Sequence, residues 1–291
     1  MRFVRPVVAT VGGISHTVRD IARMREVAVV LVRHGMGVLV SHIHIPGFRR
    51  VRAREFKSEP ERVVTAIQEL GPTFIKLGQV LSTRPDVIPH DYVVAFEKLQ
   101  DDASPLPFQE MEQRLVDELG PEWRDQLADF DEVPLASASI AQVHRATLKG
   151  GQKVVFKIQR PKIEKTVIAD LSILHLLVNR LMVEFPEARY FDPQGVLAEF
   201  ESAILAEMDF INEAENIRAF TRNFAGDATV RIPKVIESFS GERVLCMEFL
   251  EGVSIHDARA QGMDMGVVGE RYLHMAYCML FEHGFFHGDL H

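Results

Sequence analysis

The sequence predicts an α+β fold, and three observations predict it. Apolar residues at helical spacing dominate the chain up to about residue 125. The period then changes: "ATLKGGQKVVFKI" sets two β-type runs on either side of Gly150-Gly151, a hairpin signal. Long helical runs and a second β-rich stretch follow, so helices and strands occur in blocks rather than in strict alternation.

The elements follow in order. Residues 13–54 read as helices of mixed polarity. Their most apolar run, "VAVVLVRHGMGVLV", holds Arg33 and His34 and is too short and too polar to span a bilayer, so it fits an amphipathic helix on a surface. No small-residue cleavage site marks a secretory signal. Ser58 can cap the next helix with Glu61 three residues on, and Pro60 stands in its first turn. Val63, Ile67 and Leu70 share one face of that helix, and Gly71-Pro72 ends it. Phe74 to Leu81, "DYVVAFEKLQDDA" and "PFQEMEQRLVDEL" read as further helices. Beyond the hairpin, "IEKTVIADLSILHLLVNRLMV" is one long helix and "GVLAEFESAILAEMDFINEAENIRAFTRNF" a second. "VRIPKVIESFSGERVLCMEFLEG" reads as two strands around a Ser-Gly turn, and a last helix ends at Gly284. These shifts divide the chain at 1–54, a basic helical arm; 55–125, a helical extension; 126–252, the hairpins with inserted helices; and 253–291.

Composition narrows the class. Within 291 residues, 47% hydrophobic and 25% charged content is ordinary for a globular chain. Cys246 and Cys278 cannot form a disulfide framework and read as small core residues in a reducing compartment. Residues 1–54 carry ten Arg against Asp20 and Glu26, a balance of +8 on a chain of net charge −8. A basic arm on an acidic body points to an anionic membrane surface or a partner, with a solvated helical face as the plain alternative, and no nucleic-acid partner is expected.

The chemistry-bearing residues begin with the hairpin. Between Leu135 and Val143 the chain turns through Ala136, Ser137, Ala138, Ser139, Ile140, Ala141 and Gln142. A loop that holds phosphates needs residues with little or no Cβ, so that backbone N–H groups can approach the oxygens. Alanine and serine come next after glycine but resist positive φ. Lys157 on "VVFKI" would reach the phosphates as the strand lysine of kinases does. The plain alternative is an ordinary small-residue turn. A lysine of this type needs a carboxylate on a neighbouring helix, and "LAEMDFINEAEN" offers Glu207, Asp209 and Glu213, although spacing alone favours a solvated acidic face. Lys76 and Gln79 lie one turn apart in "FIKLGQVLSTRPD" and could point a cation and an amide into one cleft. Glu248 to Leu250, after "VLCM", could offer backbone groups to an adenine ring. Asp289 in "FFHGDLH" stands where a phosphotransferase loop presents its aspartate; the spacing of His287 and His291 also suits zinc, but Gly288 disfavours the helix that reading needs.

Taken together, these residues resemble the atypical protein-kinase-like family called UbiB, ABC1 or COQ8 (also AarF), over roughly residues 15–291. "KLGQVLSTRPD" resembles its KxGQ motif. "LASASIAQVH", "VVFKIQRP", "EMD" with "NEAEN", and "HGDLH" then follow in family order. The resemblance implies a kinase-like fold with a small β-rich lobe, an incomplete helical lobe and an N-terminal helical extension. It implies a true nucleotide loop with alanine in place of glycine, Lys157 as the phosphate lysine, and Asp289 as the catalytic-loop aspartate. Lys76 and Gln79 become gatekeepers that meet Glu207 and Asp209; the partner of Lys157 is expected to be Glu207, with Glu213 the alternative. ATP and Mg²⁺ are the implied cofactors. Isoprenoid or quinone-like lipid, a membrane surface and enzymes of quinone biosynthesis are the implied partners, with a cytoplasmic, peripherally membrane-associated location and no transmembrane segment.

In this family the loop usually continues past "HGDLH" to an asparagine and a metal-binding aspartate. Here the sequence stops at His291, so a fragment, a truncated frame or a second chain is expected, with the metal ligands beyond the chain end. Two other functions stay open. A small-molecule phosphotransferase of the aminoglycoside or choline kinase type also uses such a loop but lacks a KxGQ helix. A non-catalytic lipid-binding or scaffold protein could use nucleotide as a switch.

Overall fold

A computed structural model describes residues 18–37, 58–99 and 103–288. The chain forms two compact units, each built from two stretches: Met1–Asp101 with Glu164–Glu201, and Asp102–Ile163 with Ser202–His291.

The first unit is helical. Helices α1 (Val18–Arg33), α2 (Glu59–Leu70), α3 (Pro72–Ser82) and α4 (His90–Phe96) precede α5 (Phe108–Leu119) of the other unit, and α6 (Ile163–Glu184) and most of α7 (Pro193–Glu207) complete it. The start of α2 follows the expected chemistry, with the Ser58 side chain accepting from the Glu61 N–H. Gly71, at φ +93°, makes the corner into α3. Ala95, Phe96 and Leu99 pack against Val63, Val64, Ile67 and Ile75, which ties α2, α3 and α4 together. The Arg23 guanidinium donates to Asp170 on α6 (2.6 Å) and to the Leu70 carbonyl that ends α2 (2.6 Å). Among the described residues, α6 is the helix long and apolar enough to cross a membrane, by length and composition alone. The expected arm beyond α1 and residues 38–57 lie outside the described residues.

The second unit is built on an antiparallel sheet. Strands β1 (Leu127–Phe130), β3 (Ala141–Leu148), β4 (Lys153–Gln159) and β5 (Val244–Glu248) lie side by side in that order, and β2 (Ala136–Ser137) pairs with the start of β3. The period of two sorts β4 cleanly. Val154, Phe156 and Ile158 join Phe108, Met111 and Leu115 of α5, Trp123, Phe239, Val244 and Cys246 in the main core. The opposite face of the sheet, through Ala141 and Leu245, packs on Phe210 and Ala214 of α8 (Phe210–Asn223). Each large side chain buried this way contributes roughly 1.5–3 kcal/mol relative to exposure. Helices α9 (Ile255–Ala260) and α10 (Met265–Tyr277) follow, and a π-helical turn, Cys278–His283, ends at the left-handed Gly284.

Two expectations are corrected. The second long helix is two, α7 and α8, broken at Met208–Asp209: Asp209 leaves helical geometry (φ −98°, ψ 102°) and its carboxylate accepts from the Ile211 N–H, capping α8. The stretch before the Ser-Gly turn does not form a strand. Pro233 removes a ladder donor there, and the segment makes only a bridge, Val235 to Met247, before a short 3₁₀ turn, Glu237–Phe239.

Candidate functional site

The site grows out of β4. The strand that buries Val154, Phe156 and Ile158 must turn Val155, Lys157 and Gln159 to its other face, and the ladder sets Lys157 between Val143 on β3 and Leu245 on β5. Phe210, fully buried, anchors the first turn of α8 on this face. Glu213, three residues on, shares that side of the helix, and its carboxylate accepts from the Lys157 ammonium at 2.6 Å. The ammonium also lies 5.0 Å from the centroid of the Phe210 ring. The partner of Lys157 is therefore Glu213, not Glu207 as first expected: the break at Met208–Asp209 puts Glu207 at the end of α7 and starts a new helix that presents Glu213.

The small-residue hairpin is real and is tighter than a mobile loop. Ala136 opposes Val143 and Ser137 opposes Gln142. The Leu135 N–H donates to the Val143 carbonyl (2.7 Å) and the Ala138 N–H to the Ala141 carbonyl (2.9 Å). Ser139 and Ile140 form the tip, and both are buried. No residue from 135 to 143 adopts positive φ, so alanine and serine meet no strain here and glycine is not required. Ser139 Oγ is buried with no hydrogen-bond partner among the described residues.

Gln142 does not face a ligand. Its side-chain carbonyl accepts from the Leu106 N–H (2.6 Å), and the side chain is fully buried against His144. The Glu248 N–H is engaged by the Lys234 carbonyl (2.8 Å) and its carboxylate by Arg231, so of the backbone groups expected to meet an adenine ring this one donor is already used. Leu250 lies two residues past the end of β5.

Lys76 and Gln79 sit on α3. The Gln79 amide donates to the Leu99 carbonyl (3.2 Å). Gly78 between them is buried, and a Cβ there would meet Leu99 Cδ1 at 2.3 Å. Two of the motif's residues are thus explained by packing inside the first unit. Glu207 and Asp209 are both half-buried, and Asp209 is committed to its cap. Asp289 and His291 lie outside the described residues. Among the described residues, no three His, Cys, Asp or Glu side chains converge as a metal site.

Two residues escaped the sequence reading. The Gln159 amide donates to the Met208 carbonyl (2.8 Å), and Arg160 donates to the Ala138 carbonyl (2.8 Å), the Ser137 hydroxyl (2.7 Å) and the Ser104 carbonyl (2.8 Å). Their signal in the sequence is the stretch "VVFKIQRP", in which they follow Lys157 by two and three residues.

Residues 98–291 match the family model of the ABC1 atypical kinase-like domain. The chain is 36% identical over 275 residues to an uncharacterized protein in the hydrogenase 1 5' region of Clostridium pasteurianum, covering 94% of this chain and 50% of that protein. It is 37% identical over 237 residues to the probable protein kinase UbiB of Marinobacter nauticus, covering 80% of this chain and 43% of the relative. The chain thus spans about half the length of the curated relatives it matches. Among solved structures, it resembles the complex of Rv3197 with erythromycin from Mycobacterium tuberculosis, at TM-score 0.57 and 32% identity over 78% of this chain and 57% of that one.

Proposed function

Because the chain belongs to the ABC1 atypical kinase-like family, we propose that it binds a nucleoside triphosphate at Lys157 and the alanine-rich hairpin and handles its terminal phosphoryl group, by hydrolysis or transfer, in support of isoprenoid-quinone metabolism at a membrane surface. The observation that carries this reading is the Lys157–Glu213 pair: a strand lysine fixed by a carboxylate on the packed helix is the phosphate-positioning device of kinases. The surroundings fit polyphosphate. The lysine side chain is 25% exposed, so the ammonium can take a second anion, and the hairpin beside it carries only small side chains at 136–139.

In this reading Lys157 holds the phosphate chain and Glu213 holds Lys157. The hairpin backbone closes over the phosphates, and Asp289 orients the acceptor hydroxyl or water. The adenine end is assigned to the chain at Leu250, through groups other than the Glu248 amide. Gating by Lys76, Gln79, Glu207 and Asp209 belongs to the same proposal. Magnesium, when bound, would neutralise phosphate charge. The lipid half is supported by the arginine-rich composition of residues 1–54, Arg23 and Arg33 aside because they pair with Asp170 and Glu69, and by the apolar length of α6.

Titration of the 291-residue chain with Mg·ATP tests the reading. Lys157→Met is expected to weaken binding by roughly tenfold or more, the scale of a lost bond to a charged group, and Glu213→Gln by less. Superimposable curves for parent and Lys157→Met would remove the nucleotide from this site.

A further inference from the structure

Two of the residues that follow Lys157, Gln159 and Arg160, are not spent on the apolar core. Alternation along β4 turns Gln159 to the same face as Lys157, and its carboxamide is buried. There it donates to the Met208 carbonyl at 2.8 Å, at the break between α7 and α8. That carbonyl lies between Glu207 and Asp209 and five residues before Glu213. The second strap comes from Arg160. Its backbone N–H donates to the Ile140 carbonyl (2.8 Å), its Nε to the Ala138 carbonyl (2.8 Å), and its outer nitrogen to the Ser137 hydroxyl (2.7 Å) and the Ser104 carbonyl (2.8 Å). All of these acceptors are in the hairpin 137–140 or in the segment running beside it, where the Ala103 N–H also meets the Ser137 carbonyl (3.2 Å).

We infer that Gln159 and Arg160 are positioning residues: the strand that carries the phosphate lysine also carries, in its next residues, the clamps that fix both flanks of the site. Gln159 fixes the carboxylate flank, Glu207 to Glu213, and Arg160 fixes the hairpin flank, Ser137 to Ile140. This assignment rests on the nucleotide reading for its purpose, but the clamping itself does not.

The physical case is one of pre-organisation. A glycine loop gains closeness to phosphate but is mobile, and ordering it on binding has an entropic cost. An alanine-serine hairpin with no positive φ is stiffer, and a rigid hairpin is useful only if it is held at the right height over the lysine. A guanidinium is suited to that task, because its planar fork can grip several acceptors at once in a fixed geometry. The ammonium of a lysine at 160 could reach one or two of these acceptors but could not hold them in one plane. At Gln159 the logic is different. The Met208 carbonyl is one of the C-terminal orphans of α7 and lies at a buried position, so the Gln159 amide both satisfies it and sets the angle at which α8 leaves.

Hydrogen exchange read by segment, combined with Mg·ATP titration, tests the assignment in the 291-residue chain. Arg160→Gln is expected to speed amide exchange across 136–141 by roughly tenfold to a hundredfold, the range given by loss of charge-assisted bonds, and to leave 206–213 at the parent rate. Gln159→Met, which keeps the volume and removes the amide, is expected to do the reverse. Arg160→Lys should fall between Arg160→Gln and the parent in both exchange and nucleotide affinity. Each variant should weaken Mg·ATP under conditions where its denaturation curve shows it still fully folded. Unchanged exchange in the assigned segment, or equal acceleration in both segments, overturns the clamps. Segment-specific exchange with no binding of Mg·ATP by the parent leaves the clamps standing and sinks the nucleotide reading instead, so the two failures are distinguishable.

Discussion

Two of the cation–carboxylate pairs that hold helices among the described residues are built to opposite specifications. Arg23 and Asp170 sit in the helical unit, with side-chain exposures of 15% and 0%. The guanidinium is engaged at every nitrogen: it grips both carboxylate oxygens, the Leu70 carbonyl and Glu26. Lys157 and Glu213 sit in the sheet unit, with exposures of 25% and 33%. Here the cation is a compact ammonium with three donors, resting on the face of Phe210 and meeting one carboxylate oxygen at 2.6 Å. The first pair is closed off, with its carboxylate fully buried. The second keeps solvent access and donor capacity, which a phosphate needs. The contrast teaches that an ion pair is read by what it leaves unsatisfied as well as by its length.

The most direct way to break the comparison is to remove one partner of the closed pair. Arg23→Met leaves the Asp170 carboxylate buried without its cation and the Leu70 carbonyl without its donor. A loss of about 3–5 kcal/mol is expected from denaturant unfolding. The double variant with Asp170→Leu should recover most of it, because no charge is then stranded. A single-variant loss below about 1 kcal/mol would mean that the pair is not desolvated.

The next effect concerns the quoted motif. Gly78→Ala places a Cβ 2.3 Å from Leu99 Cδ1 and 3.4 Å from Ile67 Cδ1, in a core where Leu99 is already buried. Overpacking of this kind costs about 1–3 kcal/mol. Gln79→Ala, which removes one hydrogen bond to the Leu99 carbonyl, should cost less in the same unfolding assay. If Gln79→Ala were the more damaging of the two, the glycine would not be the packing determinant of α3.

What could be read in advance follows from the range of the physics involved. The α+β order, the hairpin at Gly150-Gly151 and the caps at Ser58 and Gly284 depend on neighbours a few residues apart, and the sequence displays them. The break at Met208–Asp209 was hidden because both halves are good helix and only the Asp209 cap separates them. The choice of Glu213 over Glu207 depended on that break. Gln142 sits inside the small-residue run yet turns to the Leu106 backbone, and Arg160 looks like a surface arginine until the hairpin folds back under it. These contacts join residues 22 to 56 positions apart, beyond any local period.

The open pair should respond in the opposite way to the closed one. Lys157→Met removes a partly exposed ion pair, so the stability change is expected to stay within about 1 kcal/mol, while Mg·ATP binding falls. Phe210, Ala214 and Leu245 still hold α8 on the sheet in this variant. Loss of several kcal/mol would place Lys157 with Arg23 as a structural staple and would weaken the nucleotide reading.

The smallest effect sharpens the comparison from a third side, through a buried group that stays neutral. His144 is fully buried, edge-on to Phe108 and stacked on Phe130 at 5.6 Å. Its Nδ1 lies 3.0 Å from the Asp131 carbonyl, so Nδ1 carries the proton and donates. Its Nε2 lies 3.4 Å from the Gln142 amide nitrogen and must accept. A second proton on Nε2 would set two donors against each other in an aromatic pocket. Burial accordingly pushes the imidazole below its ordinary value of 6.5, against the smaller opposing pull of Asp131 and Glu132. A depressed folded value means that the unfolded chain binds more protons in the window below 6.5. The stability that His144 contributes is therefore complete above that value and is lost as the pH falls towards the folded one. Unfolding midpoints at about pH 7.5 and about pH 5.5 should separate in the parent and close towards each other in His144→Phe, which keeps the aromatic packing and removes the titrating group. An identical pH response in parent and variant would show that the acid sensitivity comes from the surface carboxylates and not from this ring.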